Sequence, residues 1–317
     1  MSNNINCLIV GTGEIAKEYC KVLKALNVNF SVVGRNSDKA NKFGIEQNVP
    51  CFGGGFENFL NENKKICFTH AIVATDVLTL PLVTKVLILN GIKNIFVEKP
   101  LALKVEDIRE LYLLSNKHNS NVYIAYNRRF YASTLKALDL IAQDGGVKSF
   151  NFEFTEWSHV IEKLDTKDEI KQSWFLANSS HVVDLAFYLG GKPKQLSCYK
   201  KGSLPWHSKG CIYAGAGVSN NDALFSYQAN WSSPGRWSVE ILTSQHRLYL
   251  KPMEKLFIQN LGSVSVDPVE IDDSLDLEFK PGFYKETESF IKSIDDGKKK
   301  SIKEQLEDME FFSKIDF

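Results

Sequence analysis

The junction between residues 5 and 26 restricts this chain more than any other stretch. Ile5-Asn6-Cys7-Leu8-Ile9-Val10 is a short apolar run, followed at once by Gly11-Thr12-Gly13-Glu14-Ile15-Ala16. Apolar residues then recur at helical spacing: Ile15, Tyr19, Val22, Leu23 and Leu26. The order is strand, glycine turn, helix. In the spacing G-x-G-x-x-A, Gly11 permits a tight turn, Gly13 lets the backbone approach a pyrophosphate, and the small Ala16 lets helix and strand pack closely. Free N–H groups at the helix start would hold the phosphates, so Gly11, Thr12, Gly13, Glu14 and Ile15 are expected at a dinucleotide. The alternative is a purely structural glycine turn.

The next strand, Asn29 to Val33, ends in Gly34-Arg35-Asn36-Ser37. A site that prefers NAD places Asp or Glu about 20 residues after the glycines, to bind the ribose hydroxyls. Here Gly34 stands at that point with Arg35 beside it. A guanidinium can pair with a 2′-phosphate and stack on adenine, so the expected cofactor is NADP, with NAD possible, and Arg35, Asn36 and Ser37 are expected to touch it. Strands and helices go on alternating through the first hundred residues, which argues for a parallel, doubly wound sheet. Val49 to Phe52 and Thr69 to Asp76 read as strands. Ala74 and Thr75 are expected beside the cofactor at the carboxyl edge, while His70, at the other end of its strand, reads as structural. Pro81 opens a helix that runs to Asn90-Gly91. Ile95-Phe96-Val97 then leads into Glu98-Lys99-Pro100, whose carboxyl end faces the same crevice as Gly11 and Gly13.

Bulk properties narrow the possibilities. At 317 residues the chain exceeds the roughly 100–200 expected of one domain, which suggests two. Lys and Arg balance Asp and Glu at 38 each, so no strong field draws the chain to nucleic acid or anionic lipid. The six cysteines are scattered and form no C-x-x-C pair, as in a reduced cytoplasmic protein, and no metal site is expected. Met1-Ser2-Asn3-Asn4-Ile5-Asn6 lacks a basic segment followed by an apolar one, and no apolar run approaches about 18 residues. The expectation is a cytoplasmic protein that does not span a membrane.

Val105 to His118 has helical spacing, Asn121 to Tyr126 reads as the last strand of the first domain, and Tyr131 to Ala142 as a helix. In Tyr126-Asn127-Arg128-Arg129-Phe130 two readings stand equally: arginine at the crevice binds an anionic substrate or the cofactor phosphates, or one of the pair only ties the domains together through carboxylates; Arg128 is slightly ahead for the site. From Val147 the pattern turns to strands, with Phe150, Phe152 and Phe154 alternating with polar residues over Ser149 to Phe154. Further strands are expected at 195–200, 210–214, 222–231, 236–244, 246–251 and 255–259. Strand after strand without helices argues for an antiparallel sheet. Trp157, His159, Trp174 and His207 are weighed as residues that could face a sugar, each against a place in the core. Phe283 to Ile294 reads as a helix, and Ser301-Ile302-Lys303-Glu304 has capping-box spacing ahead of a final amphipathic one.

Taken in order, Gly11-Thr12-Gly13-Glu14-Ile15-Ala16, Ala74-Thr75, Glu98-Lys99-Pro100-Leu101-Ala102, Tyr126-Asn127-Arg128-Arg129-Phe130, His181-Val182-Val183-Asp184, Leu189-Gly190-Gly191 and Pro281-Gly282-Phe283 resemble the Gfo/Idh/MocA oxidoreductases. The resemblance implies an α/β protein: a Rossmann domain with a doubly wound parallel sheet, over residues 1–125, and an α/β domain with a large open, mostly antiparallel sheet, over 126–317, its carboxyl-terminal helix free to pack back on the first domain. It implies hydride transfer between nicotinamide and a sugar, sugar nucleotide, polyol or related ketone. Carried over by position, Lys99 is the general acid or base and His181 the histidine that acts beside it. Glu98 is expected at the cofactor; Arg128, Trp157, Trp174 and Asn178 are expected, with Lys99 and His181, at the substrate. The family's aspartate, four residues before the histidine on one helix face, is replaced by Ala177. That departure leaves two alternatives open, a regulatory or inactive dinucleotide-binding protein and an NAD-assisted lyase or glycosidase. An open sheet with an exposed face also suggests a homo-oligomer, dimer or tetramer.

Overall fold

A computed structural model describes residues 5–63 and 66–316. Met1 to Asn4, which enter the expectation of a non-exported protein, lie outside the described residues. Among those described, no helix is long and apolar enough to cross a membrane. The chain clusters into two compact units: residues through Tyr126 together with Glu278–Glu307, and Asn127–Leu277 together with the chain from Asp308 onward. The expected split at 125/126 leaves the carboxyl-terminal helix free to pack back on the first domain; in the structure Glu278–Glu307 clusters with the first unit.

The first unit is built on strands β1 (Asn6–Val10), β2 (Asn29–Val33), β3 (Cys51–Phe52), β4 (His70–Val73), β5 (Asn94–Glu98) and β6 (Asn121–Ala125). They lie in the order β6-β5-β4-β1-β2-β3, all parallel, with a two-residue strand, Lys300–Ser301, antiparallel on the β6 edge. Helices Glu14–Ala25, Ser37–Gln47, Phe56–Glu62, Leu80–Leu89 and Val105–His118 make the crossovers. Since β1 lies between β2 and β4, the chain reverses its direction of travel across the sheet there, the place where such sheets bind ligands. The returning segment joins this unit through apolar contact. Phe290 of helix Phe283–Ile291 stacks on Phe96 at 4.9 Å and meets the His70 ring edge-on at 5.2 Å, and Phe283 lies 5.0 Å from Tyr19. His70 is buried, Thr69 Oγ1 lies 2.9 Å from its Nδ1, and burial lowers its pKa, as a structural residue should behave. The capping box forms as spaced: Glu304 N–H donates to Ser301 Oγ at 3.2 Å and Ser301 N–H to a Glu304 carboxylate oxygen at 2.8 Å, opening helix Ile302–Ile315.

The second unit holds β7 (Ser149–Glu153), β8 (Pro193–Lys201), β9 (Ile212–Ser219), β10 (Leu224–Asn230), β11 (Ser238–Leu242), β12 (His246–Leu250), β13 (Phe257–Asn260) and β14 (Asp267–Pro268), ordered β14-β13-β12-β11-β7-β10-β9-β8. Every neighbouring pair is antiparallel except β7 with β10, where the intervening chain crosses over and returns in the same direction. Alternation along β7 and β10 puts Phe150, Phe152, Phe225 and Tyr227 on one buried face, stacked pairwise at 5.2 and 5.3 Å. Helix Ser180–Gly190 covers that face through Phe187, which meets Phe311 at 4.8 Å. A side chain at Gly190 would meet the Phe150 ring at 2.3 Å, so only glycine permits the approach.

Arg129, in the 3-10 turn Asn127–Phe130, donates to both carboxylate oxygens of Asp184 at 2.8 and 2.7 Å, with both side chains buried. A bidentate pair of this kind is strongly directional. Leaving one partner unpaired costs about 3–5 kcal/mol. Asp184→Asn is therefore expected to lower the free energy of unfolding by about that much, read from urea denaturation.

Near the carboxyl terminus, burial raises Asp316 to about 6, against the opposing influence of Lys209, Lys200 and the Tyr213 hydroxyl, which donates to it at 3.1 Å. A carboxyl whose folded pKa lies above its unfolded value adds stability only while it stays protonated. That contribution, at most about 3 kcal/mol, is complete below about pH 4 and lost as the pH rises through about 6. Denaturation between pH 4 and 7 should show this fall in the wild-type chain and its loss in Asp316→Asn.

Candidate functional site

In the first unit the glycine turn fits the demands of a dinucleotide. Gly11 has φ +127°, and a Cβ there would lie 2.2 Å from the Ala74 carbonyl oxygen, so the end of β1 presses against the end of β4. Gly13 is exposed, with nothing within 4 Å of where its Cβ would stand, and it begins helix Glu14–Ala25 without a side-chain cap. Backbone approach is thus open at the point where uncapped N–H groups gather. Glu14 is turned to Lys17 at 2.8 Å, Ile15 is half-buried, and Thr12 packs against Gly34. A Cβ at position 34 would lie 2.8 Å from the Thr12 methyl, which explains why no acidic side chain occupies it. Arg35 is exposed at the end of β2, and among the described residues no carboxylate lies within ion-pair distance of it. Asn36 accepts from Lys39 N–H at 2.9 Å as the cap of the next helix, and Ser37 packs where a Gly53 side chain would stand. At the end of β4, Thr75 accepts from the Thr79 hydroxyl at 3.0 Å.

Lys99 follows β5 directly. Because β1, β4 and β5 run parallel as neighbours, Gly11, Ala74 and Lys99 emerge at one sheet edge. The turn holding Lys99 is fixed from several sides. Leu101 N–H donates to Glu98 O at 3.2 Å, the Lys99–Pro100 bond is cis, and Gln305 donates to Pro100 O at 3.1 Å. Leu101 takes a left-handed φ of +73° and is fully buried, an arrangement that only tight surroundings hold for a branched side chain. Glu98 accepts from Tyr19 OH at 2.7 Å; burial raises its pKa against the opposing pull of that hydrogen bond, Lys280 and Lys99.

The second unit gathers a separate group. His181 begins helix Ser180–Gly190 one residue in, and its ring lies 6.4 Å from Trp237. The stretch before it, Phe175–Ser179, is a π-helical turn. The expectation that positions 177 and 181 share a helix face assumed α-helical spacing, and a five-residue turn does not keep it. Ala177 sits inside this turn, and a carboxylate reaches the same turn from elsewhere. Glu156, buried just past β7, accepts from the Asn178 amide at 3.0 and 3.1 Å and from Ser179 Oγ at 2.6 Å. Burial raises its pKa; Ser179, Arg236, Asn178 and the Trp174 indole favour the charged form. Arg236 approaches it at 3.7 Å. Asn178 thus spends its amide on Glu156.

Of the other candidates, Arg128 is half-buried and its guanidinium stacks over Trp237 at 4.7 Å. Trp157 is half-exposed, donates to Gly235 O at 3.0 Å and lies under Arg236 at 4.7 Å. Trp174 meets Trp206 edge-on at 6.1 Å. His159 is exposed on a four-residue helix. His207 is fully buried, with Gly210 O 2.8 Å from its Nδ1 and Trp231 packed on it at 4.9 Å, so it belongs to the core and not to a sugar-facing surface. The sequence reading missed Glu156, Arg236 and Trp237. A signal for Glu156 was present: the alternation that turns Phe150, Phe152 and Phe154 inward puts residue 156 on the same side. Arg236 and Trp237 carry no such signal.

Residues 5–126 match the family model described as "Oxidoreductase family, NAD-binding Rossmann fold" (GFO_IDH_MocA). A trans-1,2-dihydrobenzene-1,2-diol dehydrogenase of Xenopus laevis is 28% identical over 169 residues, which are 50% of this chain and 49% of that protein. The match therefore spans about half the length of this curated relative. Among solved structures, a putative NADPH-dependent oxidoreductase from Desulfitobacterium hafniense has a TM-score of 0.80 at 14% identity, covering 98% of this chain and 94% of its own. A levoglucosan dehydrogenase in complex with NADH and L-sorbose has a TM-score of 0.80 at 16% identity, covering 98% and 95%. These likenesses extend the shared fold over nearly the whole chain, and its residues 5–126 are similar to the NAD-binding Rossmann fold of that oxidoreductase family.

Proposed function

We propose that the protein is an NADP(H)-dependent oxidoreductase that acts on a hydroxyl or carbonyl carbon of a sugar-like substrate. The observation that carries this reading is the position of Gly11, Ala74 and Lys99 at the carboxyl ends of three neighbouring parallel strands. Gly11, Thr12, Gly13, Glu14 and Ile15 would hold the pyrophosphate through backbone N–H groups, with Ala74, Thr75 and Glu98 along the same edge. Arg35, without a carboxylate partner among the described residues, suits a 2′-phosphate, and Asn36 and Ser37 flank it. When bound, the nicotinamide supplies or accepts the hydride. Lys99 moves the proton at the reacting oxygen, and His181 is the second proton-handling group by its place in the family motif. The six cysteines are unbridged, which suits the reducing cytoplasm. One face of the second sheet leaves Tyr199, Ile212 and Leu224 exposed, and a second copy of the chain is the cover we propose for it.

A second reading rests on Ala177: retained dinucleotide binding without turnover. Oxidation of NADPH followed by absorbance against a panel of ketosugars separates the two. Turnover with at least one sugar, reduced about 10²–10⁴-fold in Lys99→Ala with NADPH binding unchanged, is the expected result. Tight NADPH binding with no turnover on any sugar favours the second reading. In the same assay Arg35→Ala should weaken NADPH about tenfold and leave NADH within about twofold; a tenfold wild-type preference for NADH would overturn the reading of Arg35. Light scattering of the purified chain tests the second copy, and a monomer at micromolar concentration rules it out.

A further inference from the structure

Five side chains of the second unit alternate between aromatic and cationic. Arg236 lies between Trp157 and Trp237, over their rings at 4.7 and 4.5 Å; Arg128 lies between Trp237 and Tyr131, at 4.7 and 5.9 Å. Stacking engages the flat faces of the guanidinium groups and leaves their N–H edges for other partners. Those edges are largely unspent. Among the described residues, of five donors on each group, Arg128 uses one, to Asn127 Oδ1 at 3.3 Å, and Arg236 has the Glu156 carboxylate 3.7 Å away.

The two neighbouring arginines of the 3-10 turn differ sharply. Arg129 is satisfied by both oxygens of Asp184, whereas among the described residues no carboxylate comes within ion-pair distance of Arg128. Arg128 is nonetheless half-withdrawn from water, and burial lowers its pKa. A desolvated guanidinium is costly unless an anion faces it. The charges that reach Arg128 are those of Glu254, which is exposed, Glu156 and the like-charged Arg236. Glu156 is already held by Asn178 and Ser179 and Glu254 is exposed to water, so neither arginine has a carboxylate committed to it alone.

We propose that Arg128 and Arg236, spaced and oriented by Trp237, form an oxyanion subsite, and that the substrate is a sugar carrying a carboxylate or phosphate ester. Two planar forks on one indole suit the charged oxygens of such a group, and a neutral sugar leaves them unpaired. This names the substrate class of the proposed oxidoreductase and rests on that reading, but its test uses binding alone.

The full-length chain, with NADPH present, is titrated calorimetrically with D-glucuronate, D-galacturonate and D-glucose 6-phosphate, each against D-glucose and D-galactose. At least one acidic sugar should bind tenfold or more tightly than its neutral counterpart, with a preference that shrinks as salt rises. Whether the uronates or the phosphate ester shows it identifies the anion. Arg128→Gln and Arg236→Gln should each lower the acidic-to-neutral ratio about tenfold while thermal unfolding and NADPH binding stay near wild type. Arg128→Lys, which keeps the charge without the fork, should retain part of the ratio. The proposal is overturned if no acidic sugar is preferred, or if the preference survives both glutamine variants. Absence of turnover alongside an intact acidic preference would instead count against the oxidoreductase reading alone.

Discussion

The second unit depends on the pair between Arg129 and Asp184. It clamps the 3-10 turn, which opens the unit, to the middle of the helix that carries His181. In a 3-10 turn successive side chains point about 120° apart. With Arg129 committed inward, Arg128 is aimed elsewhere, onto Trp237. One buried bidentate contact therefore sets the direction of two cations, one structural and one available. The tandem arginines of the sequence have divided labour because the backbone gives them different surroundings.

Negative charge is arranged just as sparingly. The motif that the sequence resembles has a carboxylate four residues before the histidine, and here Ala177 stands in a π-helical turn instead. The carboxylate that reaches that turn comes from Glu156, on the chain leaving β7, and the turn's own Asn178 and Ser179 hold it. Without those donors the burial of Glu156 would be hard to sustain. The same carboxylate draws Arg236 toward the aromatic ladder.

What the sequence made legible was whatever depends on local period. The glycine turn, the parallel strands of the first unit, helix Val105–His118, the capping box at Ser301 and the alternation through Phe150, Phe152 and Phe154 are all local patterns, and the structure holds each. The strand spacing of the second half also conveyed a mostly antiparallel sheet, although the parallel pairing of β7 with β10 was invisible because it depends on a long crossover. Residues whose role depends on distant partners were hidden. Trp237 matters because Arg128, more than a hundred positions away in sequence, lies against it, and His207 is core because Trp231 closes over it. The π turn was missed because helix periodicity assumes 3.6 residues per turn.

The division of the chain has a consequence for how it is made. Among the described residues, the ring stacked on Phe96 is Phe290, and the neighbour on the β6 edge is Lys300–Ser301. Both follow every strand of the second sheet in the chain. The nucleotide-binding sheet therefore emerges first but is completed last, holding an uncovered aromatic face and an open strand edge while the second unit is still being synthesised. Neither unit is one continuous stretch of chain, so no single cut releases one of them whole.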